Sequence, residues 1–384
     1  MAAPIAAFNT QNATPVVSIV PSPEYLDQLT ALSHSVPTLQ KAGYVMYPLS
    51  RKEINDKKRC IRCGRRCKSR DKKRKERKEQ EDGAPAAEDK NQQKAVPTTQ
   101  GRLAAKQNPA AHRCRFHPGQ NVNGRWTCCR RSASGFAPCA SEEFHQTQEY
   151  GPGEFESRWK FHSTPFDSNV SPITRAAIAI DCEMGIAVDH ESELIRLTAI
   201  DYFTGTVLLD SLVWPDIQMI HYNTRYSGVT RGNMEQARRD ERCLMGIDAA
   251  RTELLKYVGP STIVVGHSAY NDLVSLRWIH TAVVDSFLLG QKEKYDQQIL
   301  DQQARKAIQR VPTMANAVVS PYDVTPTQAG KKPEDGLSLK AMAMRKLGRA
   351  IQTGGRRGHD SLEDAIASRD LVHAHILGLT TEKR

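Results

Sequence analysis

The sequence predicts an α/β domain in the C-terminal half of its 384 residues, and three observations carry that prediction. From Thr174 onward, strand-like and helix-like patterns alternate. The run "AAIAID" ending at Asp181 is a short apolar segment suited to a buried central strand. Leu244, Ile247, Ala250, Leu254 and Val258 then recur at helical spacing and stop at Gly259-Pro260. Taken in order, "AAIAID", "LIRLTAIDYF" and "TVLLDSLVW", with the turn "FTG" between the last two, predict a meander. The helix ending at Gly259-Pro260 leads into a buried strand at "TIVV", after which "YNDLVSLRW" predicts a helix and "AVVDSFLL" a strand. Residues 291–335 are polar, hold Pro312, Pro321, Pro326 and Pro333, and predict a long loop insertion. Two helices close the domain, one at "LSLKAMAMRKLG" and one from about Ser361, so that it spans residues 174–380.

The N-terminal half reads differently. Residues 1–45 are rich in Ala, Thr, Ser and Pro, with one short helical candidate around Tyr25, Leu26, Leu29 and Leu32, and predict a largely disordered tail. Residues 57–147 are rich in Cys and His and are interrupted by a basic insertion over 68–110, also expected to be disordered. The formal net charge of +11 favours a polyanionic partner such as nucleic acid. No apolar run is long enough to cross a bilayer and no secretory signal opens the chain, so the expectation is no membrane partner and a reducing, intracellular setting. There the nine cysteines read as metal ligands rather than disulfides.

Asp181 and Glu183 are two apart on the central strand and so share one of its faces. Two carboxylates side by side repel, and a divalent cation stabilises the pair. Alone, D-x-E is usually ordinary polar punctuation. Asp272 lies just inside the helix that follows "TIVV", where it could equally complement the helix dipole. In "GRRGHDSLEDAIASRDL", Asp360 and Glu363 can form a capping box, which leaves Asp364 to point elsewhere, while His359 sits on a glycine-flanked loop as either solvated surface or a group over a metal site. Each piece falls at a strand end or helix start of one sheet, where open α/β sheets carry their sites. Four carboxylates converging there suit two Mg²⁺ or Mn²⁺ ions and phosphodiester hydrolysis.

In this order, D-x-E, "GHSAYNDL" and H-x-x-x-x-D resemble the DEDDh exonucleases of the RNase H-like superfamily. The wording "DCEM", with "YNTRYSGVT" at 222–230, "VVDSFLL" at 283–289 and "LSLKAMAMRKLGRAIQ" at 337–352, is similar to Rex-type RNA exonucleases over roughly residues 176–377. The resemblance implies an RNase H-like mixed sheet flanked by helices and a 3′→5′ exoribonuclease acting on single-stranded RNA 3′ ends in small stable RNA maturation. It also implies that Asp181 bridges two metals, that Glu183 and Asp364 complete one site, that Asp272 serves the other, that His359 is the general base, and that Met184 packs on the terminal nucleotide. Two departures stand out: the segment between Asp285 and Leu337 is longer than the family's, and His221 stands where an acid often precedes the Y-x-T-R string. A DNA 3′ exonuclease, or a non-catalytic scaffold binding RNA or protein, would share much of this pattern.

In the Cys/His region, Cys60, Cys63, Cys114, His117, Cys128, Cys129, Cys139 and His145 make eight ligands, enough for two closed structural zinc sites, against the alternative of buried free cysteines. Spacing leaves open which four share an ion, and Cys67 and His112 are spare. The order of these residues resembles CHORD-type zinc modules, a surface for protein partners. Arg65, Arg66, Lys68, Arg70 and the run Lys72 to Lys78 suit a solvated linker, phosphate contact or nuclear import, giving an expected nuclear or nucleolar location with the cytoplasm as alternative.

Overall fold

In a computed structural model of the protein, residues 18–67, 114–135, 137–166, 172–309, 336–355 and 358–382 are described. Contacts divide the chain into two units, one of Met1–Pro48, Phe161–Ala187 and Ser192–Arg384, the other of Leu49–Lys160 with Val188–Glu191.

The first unit is built on a seven-stranded mixed sheet. Strand β1 (Ala177–Ala187) pairs antiparallel with β2 (Ser192–Asp201), which pairs antiparallel with β3 (Val207–Trp214), so the expected meander forms. Short β4 (Met219–His221) pairs with the far end of β1, and β5 (Cys243–Met245) runs parallel to β3. On the other side β6 (Ile263–Gly266) and β7 (Val283–Asp285) continue the sheet in parallel, giving the order β5-β3-β2-β1-β6-β7. The first four residues of β1 are buried on both faces, which is why the run is apolar without alternation.

Both faces are covered. On one, Ala177 and Ala179 pack with Ile200, Tyr202, Val265 and Val284 beneath residues Ala365, Ile366, Val372 and Ile376. On the other, Ile178, Ile180 and Cys182 pack with Val264, Ala250, Leu254, Leu273 and Leu276. The covering helices are α1 (Pro23–Ala31), α2 (Val36–Lys41), α3 (Arg231–Arg239), α4 (Gly246–Leu255), α5 (Tyr270–Ser275), α6 (Ser286–Gln309), α7 (Leu339–Leu347) and α8 (Ser361–Glu382).

Four expectations need correction. Residues 18–45, expected as disordered tail, fold onto the α/β unit: Leu29 and Leu39 are fully buried in its two main clusters, and the Ile19 and His34 N–H groups donate to the Phe203 and Val283 carbonyls. Although the segment is rich in Ala, Ser, Thr and Pro, Leu29 with Tyr25, Leu26 and Leu32, and Leu39 with Val36, turn inward. The insertion expected from 291 begins as helix, since α6 runs unbroken to Gln309 through Lys, Glu, Gln and Leu, all good helix formers, ahead of Pro312. The strand expected at "AVVDSFLL" stops at Asp285, where α6 begins. Leu244 belongs to β5 rather than to the helix after it. Residues 1–17, 310–335 and the basic insertion 68–110 with His112 lie outside the described residues.

The second unit has little apolar core: Ile54, Phe155 and Trp159 are its large buried hydrophobic side chains among the described residues, beside Cys60 and Cys114. A Ser50/Glu53 capping box starts the helix Arg51–Asn55. Cys114–Phe116 pairs with Ala140–Glu142, and Asn121–Val122 with Arg125–Trp126 across Asn123-Gly124, both at positive φ as a tight hairpin turn requires. No helix among the described residues is long and apolar enough to cross a membrane.

Candidate functional site

The site arises where the sheet stops being continuous. Strand β6 pairs with β1 only as far as Ala179, so the next outward N–H on that edge, at Cys182, has no strand opposite it. Asp272, the third residue of α5, supplies the acceptor: its Oδ1 takes the Cys182 N–H at 2.7 Å. This brings the third carboxylate to the strand that carries Asp181 and Glu183. Those two lie in the middle of β1 rather than at the strand end that the pattern suggested, just before a register shift at Glu183/Met184.

Asp364 enters from the first turn of α8. Its Oδ2 accepts from Gln352 Nε2 at 2.9 Å and lies 3.7 Å from His359 Nδ1. Its Oδ1 is buried with no hydrogen-bond partner. The expected capping box does not close: Asp360 Oδ1 accepts from the Leu362 N–H, while Glu363 turns to the Gln352 N–H.

Electrostatics ties the four acids together. Burial, followed by the charges of Asp272, Asp364 and Glu183, pushes the Asp181 carboxyl well above its ordinary range. Burial and then Asp364 raise Glu183 to about 8, although Arg196 opposes this. Asp272 and Asp364 are each raised to about 7, mainly by burial. Four oxygen ligands that resist ionising together, with one buried oxygen lacking a partner, fit hard divalent cations. They do not form one tight cage, however: among the described residues only two Cys/His groups bring three or more ligand atoms within 4.8 Å of one another.

Several supporting residues carried no sequence signal. Arg196, cross-strand from Glu183, is a buried cation held by both Asp210 oxygens at 2.9 and 3.0 Å and by Asp360 at 3.1 Å. It offsets part of the acidic charge. Gln352 follows the helix-breaking Gly348 and looks like loop, yet it orients Asp364. On the Asp272 side, buried Asp285 accepts from the Ser268 N–H at 2.8 Å and the Phe287 N–H at 2.9 Å through Oδ1, and from the Tyr44 hydroxyl at 2.7 Å through Oδ2. Ser268 has φ +57°, a strained value for a non-glycine residue, at the turn that launches α5. Tyr44 therefore braces the turn that sets Asp272, from a segment the sequence assigned to a tail.

The string "YNTRYSGVT" forms the seat of His359. The His359 N–H donates to the Tyr226 carbonyl at 2.5 Å, and Asn223 Nδ2 donates to the Met184 carbonyl at 3.1 Å. A Cβ on Gly358, whose φ is +82°, would stand 2.2 Å from the Gly228 nitrogen, so glycine is required for this contact. Burial lowers the His359 imidazole below its ordinary 6.5, which leaves it neutral at pH 7. His221 is exposed and merely accepts the Asn223 N–H through Nδ1.

In the second unit the eight ligands sort into Cys60, Cys63, Cys114 and His145, and His117, Cys128, Cys129 and Cys139. Sγ of Cys60 and Cys114 are 3.5 Å apart, and Cys63 Sγ is 3.3 Å from His145 Nδ1. In the other group His117 Nδ1 is 3.5 Å from Cys129 Sγ and Cys128 Sγ is 3.5 Å from Cys139 Sγ. Tetrahedral sulfur ligands about 2.3 Å from one ion lie roughly 3.7 Å apart, so both groups fit zinc. The "CRFH" string is divided between them because Cys114 and His117 are three apart on an extended segment and face opposite ways. Trp126 stacks on the His117 ring at 4.4 Å and 7°. Cys67 joins neither group.

No protein-family model matches the chain. It is similar to RNA exonuclease 3 of Candida albicans, 28% identical over 261 residues that cover 67% of this chain and 53% of the relative. It is also similar to the apoptosis-enhancing nuclease of Homo sapiens, 27% identical over 252 residues that cover 63% of this chain and 56% of that protein. Among solved structures, the Pan2 catalytic unit of Neurospora crassa matches at 16% identity and a TM-score of 0.38, over 60% of this chain and 34% of that one. The chain spans about half the length of the curated relatives it matches.

Proposed function

We propose that the chain is a DEDD-type 3′→5′ exoribonuclease that hydrolyses single-stranded RNA ends, a reading supported by its likeness to RNA exonuclease 3 and to the apoptosis-enhancing nuclease. The observation that carries this reading is the set of mutually repelling carboxylates Asp181, Glu183, Asp272 and Asp364 around a buried, unpartnered Asp364 oxygen. In this reading Asp181, Glu183, Asp272 and Asp364 would hold two Mg²⁺ or Mn²⁺ ions, Asp181 contributing to both sets, Glu183 and Asp364 to one and Asp272 to the other. Bound ions of this kind stabilise the negative charge that develops on the attacking and leaving oxygens.

The chain's own groups do the rest. Gln352 holds one oxygen of Asp364 and leaves the other for a ligand. Neutral His359, anchored through its N–H and with Nδ1 towards Asp364, takes the proton of the attacking water at Nε2. Met184, whose carbonyl is fixed by Asn223, packs on the terminal nucleotide. The two Cys/His groups would each hold a structural Zn²⁺, and their unit would offer a surface to protein partners. Small stable RNAs in the nucleus are the substrates this reading favours, supported by the net charge of +11 and by relatives named RNA exonucleases.

The decisive experiment offers the purified protein 3′-labelled RNA and the matched DNA with Mg²⁺, beside a chelated control, an Asp181→Asn variant and a 3′-blocked RNA. Metal-dependent loss of terminal ribonucleotides, stopped by the block, is expected. Equal DNA cleavage would make it a general 3′ exonuclease, cleavage of blocked RNA an endonuclease, and no metal-dependent cleavage a scaffold.

A further inference from the structure

We propose that Tyr226, with Arg225 beside it, is a nucleobase platform: its ring stacks on an unpaired base next to the bond being cut. This rests on the exoribonuclease reading above. Tyr44, Tyr202, Phe203 and Trp278 of the α/β unit are buried, whereas Tyr226 is 59% exposed. Tyr47, Phe166 and Tyr295 are exposed too; what sets Tyr226 apart is its contact with His359. Its position is not incidental. The carbonyl of the same residue accepts the His359 N–H, and its ring stands perpendicular to the imidazole, at 88°, with centroids 6.3 Å apart.

The turn beneath it is held on all sides. Thr224 Oγ1 donates to the Val229 carbonyl and Ser227 Oγ to the Tyr222 carbonyl, each at 2.7 Å. The Gly358 contact with Gly228 locks the His359 loop against the same turn. An exposed ring on a rigid seat loses little conformational freedom when a base covers it. Every base offers a π-face, so such a platform tolerates any sequence, as an enzyme shortening an RNA end one residue at a time needs. Exposed Arg225, its guanidinium 5.9 Å from the ring, adds a cation for the adjoining phosphate.

The test compares Tyr226→Ala, Tyr226→Phe and Tyr226→Trp in the full chain on oligoribonucleotides with all bases and on ones abasic at the last or penultimate position. Tyr226→Ala should raise KM about five- to a hundredfold, the range of one base–aromatic stack, while Phe and Trp retain it. On RNA lacking the stacked base, the wild type should lose as much and Tyr226→Ala nothing further. An unchanged KM, or an equal fall in kcat on intact and abasic RNA, would overturn the platform, the latter by showing that Tyr226 only positions His359. If the protein cleaves no RNA, the parent reading fails on its own. The platform is then read by quenching of 2-aminopurine near the 3′ end, expected with wild type and lost in Tyr226→Ala; equal signals from both would sink it.

Discussion

The acidic site and the Cys/His groups are both sets of distant side chains brought together in arrangements that fit a cation, but the scaffolds beneath them differ. Asp181 and Glu183 hang on a seven-stranded sheet with apolar clusters on both faces, and Asp272 and Asp364 stand on helices packed into those clusters, with His359 on the loop that leads into the second helix. Among its described residues the second unit buries Ile54, Phe155 and Trp159 as its large apolar side chains. Where a hydrophobic core exists, ligands can be arranged against their own preferences, as four repelling carboxylates are. Where it does not, ligand bonds must hold the fold.

The largest expected effect follows from that contrast. A structural Zn²⁺ is worth on the order of 10 kcal/mol, so stripping it with a strong chelator, or replacing Cys60 or Cys114 by Ala, should open residues 49–160 to protease and leave the α/β unit resistant. Equal resistance of both units would break the comparison.

Asp181→Asn should cut RNA hydrolysis about a thousandfold. Its metal-free melting temperature should hold or rise, because the amide removes a charge that Asp272, Asp364 and Glu183 repel. A marked fall in melting temperature would mean that the carboxylate serves the fold.

The pH dependence sharpens the same point. Glu183, Asp272 and Asp364 bind protons more tightly folded, at about 8, 7 and 7, than at their ordinary 4.5, 3.8 and 3.8, chiefly through burial. Their contribution to metal-free stability is therefore complete below the ordinary values and lost as pH rises through 7 to 8. Melting of the chelated protein should weaken from pH 5 to 8.5, and saturating Mg²⁺ should restore roughly 5 °C or more at pH 8 and less at pH 6. The same metal shift at both pH values would argue against proton and cation sharing one site.

The smallest effect is expected at Tyr44→Phe, which removes one hydrogen bond to buried Asp285 and should cost about 1 kcal/mol in denaturant unfolding. Mg²⁺ affinity should weaken alongside, since Asp285 holds the turn before Asp272. Unchanged affinity would confine Tyr44 to stability.

The parts of the fold legible in the sequence were those with a strong local period. The meander and the last helix were among them. The first N-terminal helix was legible in the spacing of Tyr25, Leu26, Leu29 and Leu32, whereas its docking on the α/β unit and the short helix that buries Leu39 were not, because two turns of chain make no sustained period. Nor was the first half of the 291–335 stretch, whose helix has polar side chains along its exposed length. In the site, Asp181 and Glu183 stand out only in combination with the later Asp272 and H-x-x-x-x-D strings, while Gln352, Arg196 and Asp285 look like ordinary loop and strand residues.

By itself the sequence determined which residue types were available and, through strand and helix periods, which could share a face. Only the tertiary structure decided that β6 ends beside Ala179, so that Asp272 meets the Cys182 N–H, and that Cys114 and His117 part company to join different groups. The reason is physical: periodicity acts over a few residues, whereas the pairing of an orphaned N–H or the sharing of a cation depends on side chains tens to hundreds of positions apart.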